Sequence, residues 1–334
     1  MPGSEHDALH SAAREALHAP SIFNTQPWRW RISADALELR ADWSRRLAVT
    51  DPDGLSLLVS CGAALHHARV SLAAAGWRVT VDRTTGDRNL LARIGLAGLG
   101  APDPTAVLLR DAIHVRRTDR RPFADEPVPI EVLEALTTAA AAEGGRLHRV
   151  RMDQMPMLAI AVSLAAAGEM ANPAYRVELM RWTNRPEWSG DGVPAVTAVE
   201  KVPRRVPVRE FVLNPGGGLP VTPGGDRGAA YLILHGHGAA VGDWLRAGEA
   251  LSAVLLSAVS RGLAVAPLTD VLEVAHPRDL VTGLLGGNNV PYALVRCGYP
   301  VDSTPLAPSP RRDAAEVIDA PPIESPDSPS DSPG

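Results

Sequence analysis

Three short segments hold the residue types that could do chemistry. Pro20-Ser21-Ile22-Phe23-Asn24-Thr25-Gln26-Pro27-Trp28-Arg29-Trp30 packs hydroxyl and amide side chains, two prolines and two tryptophans into one turn. Side-chain amides both donate and accept, so they suit the edge of a heterocycle such as isoalloxazine, where acceptors and a donor alternate. Any one of these residues could equally satisfy backbone groups in an ordinary turn, and it is their density that argues for a site. Arg116-Arg117-Thr118-Asp119-Arg120-Arg121-Pro122-Phe123 sets four arginines and a hydroxyl within six residues. Guanidinium groups bind phosphate oxygens in pairs, so this is a phosphate cradle or, more blandly, a solvated basic turn. Gly262-Leu263-Ala264-Val265-Ala266-Pro267-Leu268-Thr269-Asp270 reads as a helix end running into a short apolar strand, and by itself is connecting structure.

The elements that must hold these segments follow from periodicity. A helix over His6–His18 stops before Pro20, since proline disfavours helix at the residue before it. Trp28–Ile32 and Leu37–Ala41 alternate as strands. A long apolar helix opens after Asp51-Pro52-Asp53-Gly54, reaches Ala75 and ends at Gly76, with a strand over Trp77–Val81. Farther on, Leu133–Ala142 is helical, Leu147–Met152 extended, Tyr231–His235 a buried strand, Asp243–Arg261 a helix capped by Asp243, and Ala293–Cys297 a last strand. Residues 172–228 are rich in Pro, Gly, Arg and Trp and lack periodicity, which suggests a lid or binding loop. From Pro305 the chain turns Pro- and Ser-rich and acidic, as in a disordered tail.

The two long helices match each other. Cys61-Gly62-Ala63-Ala64-Leu65 through Gly76 aligns with Ala247-Gly248-Glu249-Ala250-Leu251 through Gly262 at a constant offset, with a strand after each. This predicts a duplicated α+β unit with the two helices packed together at its centre.

With 33 basic and 38 acidic residues among 334, the net charge of −5 argues against a nucleic-acid surface and favours a site for one small anion at the arginine cluster. Cys61 and Cys297 cannot build a disulfide framework, no leader pattern stands at the start, and apolar runs are interrupted well before a bilayer span. The expectation is a soluble cytoplasmic protein that binds neither membrane nor nucleic acid. His66 and His67 point about 100° apart on one helix and so do not share a metal, His235-Gly236-His237-Gly238 lacks a carboxylate or cysteine partner, Gly95 to Gly100 has the wrong spacing for a dinucleotide loop and reads as a turn, and Cys61 reads as an inert buried thiol.

Together the three segments resemble the nitroreductase superfamily of FMN enzymes. That family carries an Arg-Arg-Ser-x-Arg-x-Phe motif, a Pro-Ser-x-x-Asn-x-Gln-Pro-Trp motif, and a Gly-to-Pro segment beside the flavin N5. It ends in a Gly-Tyr-Pro turn and a basic pair, matched here by Gly298-Tyr299-Pro300 and Arg311-Arg312. The amide motif precedes the arginine motif, and this order, with Ser60 to Leu65 and Asp191-Gly192-Val193-Pro194, resembles the Acg-type subfamily of actinobacteria over about residues 8 to 318.

The resemblance implies a nitroreductase-like α+β fold made of two degenerate copies, residues 1–105 and 106–304, with a candidate lid at 172–228 and an arm and tail at 305–334. Ordinary members are homodimers whose flavins touch both subunits. Here the first half has the Ser/Asn motif and the second half the arginines, while 140–145 stands where a second Pro-Ser motif would be. One non-covalent FMN per chain follows, in a monomeric pseudo-dimer or a homodimer. By resemblance, Arg116, Arg117, Thr118 and Arg120 hold the phosphate with Arg311 and Arg312, while Ser21, Asn24 and Gln26 meet the ring or ribityl chain. Pro267, Leu268 and Thr269 line the N5 side. Thr118 replaces the family's serine, one residue is inserted before Phe123, and the terminal Lys-x-Arg has become Pro310-Arg311-Arg312.

The implied activity is ping-pong hydride transfer from NAD(P)H through the flavin to a small conjugated acceptor, a nitroaromatic or quinone, with no metal and no side-chain nucleophile. Two other readings stand beside it. One is a non-catalytic protein that sequesters FMN under a lid, and the other is an interaction protein without cofactor.

Overall fold

The computed structural model describes residues 4–33, 35–83, 86–194, 204–209, 225–302 and 304–320. Helix α1 (Glu5–Ala16) starts in a capping box, where Ser4 Oγ accepts the Asp7 N–H and the Asp7 carboxylate accepts the Ser4 N–H, both at 3.1 Å. Strand β1 (Trp28–Ile32) buries Trp28, Trp30 and Ile32 and turns Arg29 and Arg31 outward, and β2 (Ala36–Ala41) pairs antiparallel with it. Asp51 then caps α2 (Leu55–Ala74) by accepting the N–H groups of Ser56 at 3.0 Å and Leu57 at 2.9 Å. After α2 come β3 (Trp77–Asp82), β4 (Leu90–Leu99), α3 (Pro104–Val115) and α4 (Ile130–Ala142). Strand β5 (Arg146–Arg149) leads to α5 (Met155–Ala171) and α6 (Pro173–Thr183), and β6 (Ala230–Gly236) leads to α7 (Val241–Val259). The chain closes with β7 (Ala264–Leu268), α8 (Asp270–Glu273), α9 (Ala275–Leu285), β8 (Val290–Gly298), α10 (Ala314–Val317) and β9 (Ile318–Asp319).

Among the described residues the strands form two sheets, ordered β3-β4-β2-β1-β9 and β5-β6-β8-β7. Apart from β9, the two share one plan. Each has a strand pair, a long helix and a second strand pair, with the fourth strand inserted between the second and the third and the third at the edge. The long helices α2 and α7 cross between the sheets. A Cβ on Gly248 would come 2.8 Å from the Gly62 Cα, and one on Gly62 would come 2.9 Å from the Gly248 Cα, so the backbones meet where only glycine fits. One turn on, His66 Nδ1 bonds Ser252 Oγ at 2.9 Å, a pair with the same spacing of 186 residues as the two glycines. Helix α2 is apolar enough to cross a membrane by length and composition, yet 89% of its most apolar window is buried within the protein.

Several expectations are corrected. The 172–228 stretch is not structureless at its start, since α6 and a turn of 3-10 helix at Glu187–Ser189 occupy it; positions 195–203 and 210–224 lie outside the described residues. Gly95 to Gly100 largely continues β4 rather than turning, because Gly95 and Gly98 pair with Thr80 and Arg78. Asp243 sits at the third position of α7 and its carboxylate accepts the Ala240 N–H, so Ala240 is the cap. The chain after Pro305 returns as an arm, in which Asp313 caps α10 and β9 joins β1 in parallel; 321–334 lie outside the described residues.

Candidate active site

The arginine segment leaves α3 and is stitched to β7. The Asp119 N–H donates to Val265 O at 2.9 Å, and Thr118 bridges to Val265. Beneath it lies a fully buried ion pair. Arg296 donates to Asp226 Oδ2 at 2.7 Å and also to the carbonyls of Asp119 at 2.8 Å and Arg121 at 2.9 Å, while Asp226 Oδ1 accepts the Phe123 N–H at 2.7 Å. The Arg296 guanidinium also stacks 3.9 Å from the Phe123 ring centre. This frame sends Arg116, Thr118 and Arg120 to one side, and turns Arg121 away to pair with Asp119 and Asp302.

The amide turn faces it. Phe23, Asn24 and Gln26 all take left-handed backbone angles, with φ of 46°, 54° and 48°. Such a turn persists only where its surroundings over-determine it. Ser21 supplies part of that, its Oγ accepting the Gln26 N–H at 2.9 Å, and Ser60 Oγ of α2 accepts the Ile22 N–H at 3.2 Å. Asn24 Nδ2 donates to Gly192 O at 3.1 Å and Pro310 O at 3.0 Å, and its Oδ1 accepts from Arg311 at 3.0 Å. Arg311 also donates to His18 O at 2.9 Å.

One continuous cleft runs between these walls. Its two overlapping parts, each about 700 Å³, share Pro20, Ser21, Phe23, Thr118 and Arg120. At one end stand Arg116, Arg117 and Arg311; at the other, Val59 and Ala63 of α2, Leu251 of α7, Pro267, Thr269 and Tyr292.

The cationic end is electrostatically unsatisfied. Arg116 Nε and Nη1, Arg117 Nε and Arg311 Nε are buried without a hydrogen-bond partner among the described residues. Burial first, then repulsion by Arg117, holds Arg116 down to about 10; burial, then Arg116 and Arg117, holds Arg311 down to about 9. Behind them His18 is pushed down to about 4 and His67 well below its ordinary value, chiefly by burial and then by the surrounding arginines, so both are neutral at pH 7. Several desolvated guanidiniums facing a cleft with open donors have the chemistry to bind a multiply charged anion.

Nine of the twelve residues singled out by sequence line this cleft: Ser21, Asn24, Arg116, Arg117, Thr118, Arg120, Pro267, Thr269 and Arg311. Three do not. Gln26 is buried and its side chain bonds Gly190 O at 2.8 Å and the Arg312 N–H at 3.0 Å. Arg312 in turn donates to Gln26 O at 3.2 Å and lies 3.9 Å from Asp42, so the two clamp the C-terminal arm instead of facing the cleft. Leu268 packs into a core with Val271 and Leu294, because strand alternation turns it away from its neighbours Pro267 and Thr269. Sequence reasoning missed Phe23, Tyr292 and Arg209 as cleft residues. The first stands inside the recognised motif, while Arg209 comes from the stretch without periodicity. Among the described residues no group of His, Cys, Asp or Glu could hold a metal.

No family model matches the chain. It is 42% identical over 316 residues, 92% of this chain and 89% of its relative, to a Mycobacterium tuberculosis H37Rv protein provisionally named NAD(P)H nitroreductase Rv3131. A second protein of that strain, provisionally named NAD(P)H nitroreductase Acg, is 36% identical over 317 residues, 93% of this chain and 95% of its own. The chain belongs to this nitroreductase family. Solved nitroreductase structures resemble it more distantly. The FMN and NADPH-dependent nitroreductase NfnB from Sphigopyxis sp. strain HMH aligns at 18% identity over 63% of this chain and 97% of its own, with a TM-score of 0.40. An FMN-bound nitroreductase from Bacteroides fragilis aligns at 15% identity over 60% and 91%, with a TM-score of 0.38. Within the nitroreductase reading, the Arg296–Asp226 pair is what shapes the arginine motif, and Asn24 is what aims Arg311 into the cleft.

Proposed function

We propose that this nitroreductase is a cytoplasmic FMN-dependent NAD(P)H oxidoreductase that binds one FMN non-covalently in the cleft and reduces a small conjugated acceptor such as a nitroaromatic or quinone. The observation that carries the reading is the pairing of an anion-seeking end, with its orphaned guanidinium nitrogens, to an apolar end of ring size within one cleft. A phosphate monoester joined to a flat heterocycle has the same division of chemistry, so the residues present fit FMN.

Arg116, Arg117 and Arg311 would take the phosphate, with Thr118 and Arg120 beside them. Ser21 and Asn24 would border the ribityl chain, and Pro267, Thr269 and Tyr292 the ring. Bound there, the flavin would accept a hydride and release it to the acceptor. The protein orients the group through the arginines at its phosphate and excludes water from the ring with Val59, Ala63 and Leu251. The matched strand orders, the glycine crossing and the shared spacing of 186 residues support reading the chain as two fused copies, one contributing the amide turn and the other the arginines. The test is an anaerobic visible spectrum of the FMN-loaded protein with NADH and then NADPH; bleaching supports the reading and a flavin that neither nucleotide reduces overturns it.

One observation favours the sequestration reading. Gly192, Val193, Pro194 and Arg209, all from the insertion, contribute to the cleft walls, so the same segment could close over a bound flavin. A tightly held flavin that dithionite reduces but nucleotides do not would establish that alternative.

A further inference from the structure

Behind the Pro267–Thr269 wall lies a group of acids that the reading above does not use. Arg209 donates through Nη2 to Glu169 Oε1 of α5 at 3.0 Å and to Glu273 of α8. Asp270, the first residue of α8, is 1% exposed, and among the described residues neither of its carboxyl oxygens has a side-chain partner; Glu273 Oε1 has no hydrogen-bond partner among them either. Asp270 lines a small cavity with Arg120, Arg209, Pro267, Leu268 and Thr269, and Arg209, Pro267 and Thr269 also line the apolar half of the cleft. The acids are therefore one residue away from the wall of the cleft.

Three buried carboxyls share the guanidinium of Arg209. From the elements packed around them, Tyr175 of α6 bonds Glu169, Asp51 ahead of α2 faces Glu273, and Arg120 faces Arg209. Ionised, the three would leave negative charge in a dry place with two oxygens of Asp270 unsolvated, and such a group lowers its free energy by taking up a proton. Burial, against the pull of Arg209, accordingly holds Glu169 up at about 8 and raises Asp270.

We propose that Glu169 and Asp270, gathered with Glu273 around Arg209, form a proton store that supplies the cleft when the acceptor is reduced. The proposal rests on the oxidoreductase reading, which provides the hydride. For a quinone the balance is one hydride and one proton on the two carbonyl oxygens, giving the hydroquinone. For a nitroaromatic, the hydride and one proton give the N,N-dihydroxy compound, which loses water to the nitroso product. In each case the hydride brings two electrons and the store releases one proton from a carboxyl oxygen. The Thr269 hydroxyl, lining both cavities, can accept that proton on one side and donate on the other. Water then reprotonates the store before the next turnover.

Asp270→Asn and Glu169→Gln test this in the full chain. Among the described residues Asp270 bonds no other side chain, and an asparagine Oδ1 still accepts from the backbone, so the asparagine variant should fold. Two measurements follow. Infrared spectra of each protein at pH 7 in water and deuterium oxide should show a protonated-carboxyl stretch in the parent that weakens in the variants. The FMN-loaded proteins, reduced with dithionite and mixed with 1,4-benzoquinone, should reoxidise roughly 10²-fold more slowly in the variants, in the range for loss of a proton donor. Reduction by nucleotide should change far less. A parent without the carboxyl stretch overturns the proposal, as does variant reoxidation at the parent rate. Because dithionite replaces NAD(P)H and the infrared band needs no turnover, a protein inert to nucleotides would sink the oxidoreductase reading and still leave the proton store tested.

Discussion

Asn24 and Arg311 lie 287 positions apart in sequence, and the Asn24 Oδ1 accepts a hydrogen bond from the Arg311 guanidinium at 3.0 Å. The amide is also tied to Gly192 and Pro310, so one side chain in a left-handed turn fixes the insertion, the C-terminal arm and a cation of the cleft wall together. Replacing it with alanine removes all three bonds and leaves a residue that tolerates φ of 54° poorly. Asn24→Ala should weaken FMN binding about 10- to 100-fold, the scale of one hydrogen bond to a charged group. Fluorescence titration with FMN measures this, and an unchanged affinity would show that Arg311 is aimed by something else.

Arg116 is a buried cation whose Nε and Nη1 have no hydrogen-bond partner among the described residues. Removing an unpaired buried charge relieves desolvation, so Arg116→Ala should leave the FMN-free protein as stable as the parent or more so, while FMN affinity falls about 100-fold or more. Inorganic phosphate should raise the melting temperature of the parent and barely move that of the variant. Thermal unfolding with and without phosphate checks both signs.

The Asp226–Arg296 pair supports the arginine motif from below, and both side chains have no exposure. Asp226→Asn strips the counter-charge from Arg296 and from Arg204, whose guanidinium lies 3.9 Å from the same carboxylate. The loss should be about 3–5 kcal/mol, as for other buried pairs broken on one side. Chemical denaturation measures it, and a loss under about 1 kcal/mol would mean that water enters and solvates the arginines.

At the helix crossing, Gly248→Ala would drive a methyl group onto the Gly62 backbone, which has no rotamer through which to yield. We expect a loss of about 3 kcal/mol or failure to fold, the upper part of the range for overpacking. Gly283→Ala is the matched control, since nothing lies within 4 Å of its added Cβ in α9, and alanine there should be neutral or stabilise by up to about 1 kcal/mol.

Stability should peak near pH 6.5. His18 and His66, lowered to about 4 and about 3 by burial, bind fewer protons in the native than in the unfolded state between those values and 6.5. Stability therefore rises with pH across that window, helped by His67, which burial also lowers, and partly opposed by Asp51, raised to about 6, and by Glu169, whose raised value already counts from the ordinary carboxylate range upward. Above 6.5 the histidines no longer matter. Glu169, raised to about 8, binds more protons in the native state, so stability falls as pH climbs to 8. Glu169→Gln should flatten that upper limb, and a melting curve series from pH 5 to 8.5 would show it.

Local chemistry alone made much of this protein legible. The alternation of Trp28, Arg29, Trp30, Arg31 and Ile32 determines a half-buried strand, and the apolar run after Asp51, broken chiefly at His66, His67 and Arg69, determines a helix buried nearly all round. The arginine and amide motifs were recognisable because each lies within a dozen residues, and most of their side chains do line one cleft. Helices α5 and α6 were not legible. Met155–Ala171 is apolar nearly all round and shows no stripe, and α6 is embedded in a Pro- and Arg-rich stretch.

Partnership across the chain was decided only in three dimensions. Gln26 and Arg312 look like cofactor ligands by type, yet they bond each other once the arm folds back, and a buried amide must be satisfied wherever its partners happen to be. Arg209 carries no local signal, because its role depends on Glu169 and Glu273, 40 and 64 residues away. Sequence determines which groups a segment can offer, through period and residue type. Which of them remain unsatisfied and face a ligand depends on long-range contacts, because hydrogen bonds and charges are settled by distance in space rather than along the chain.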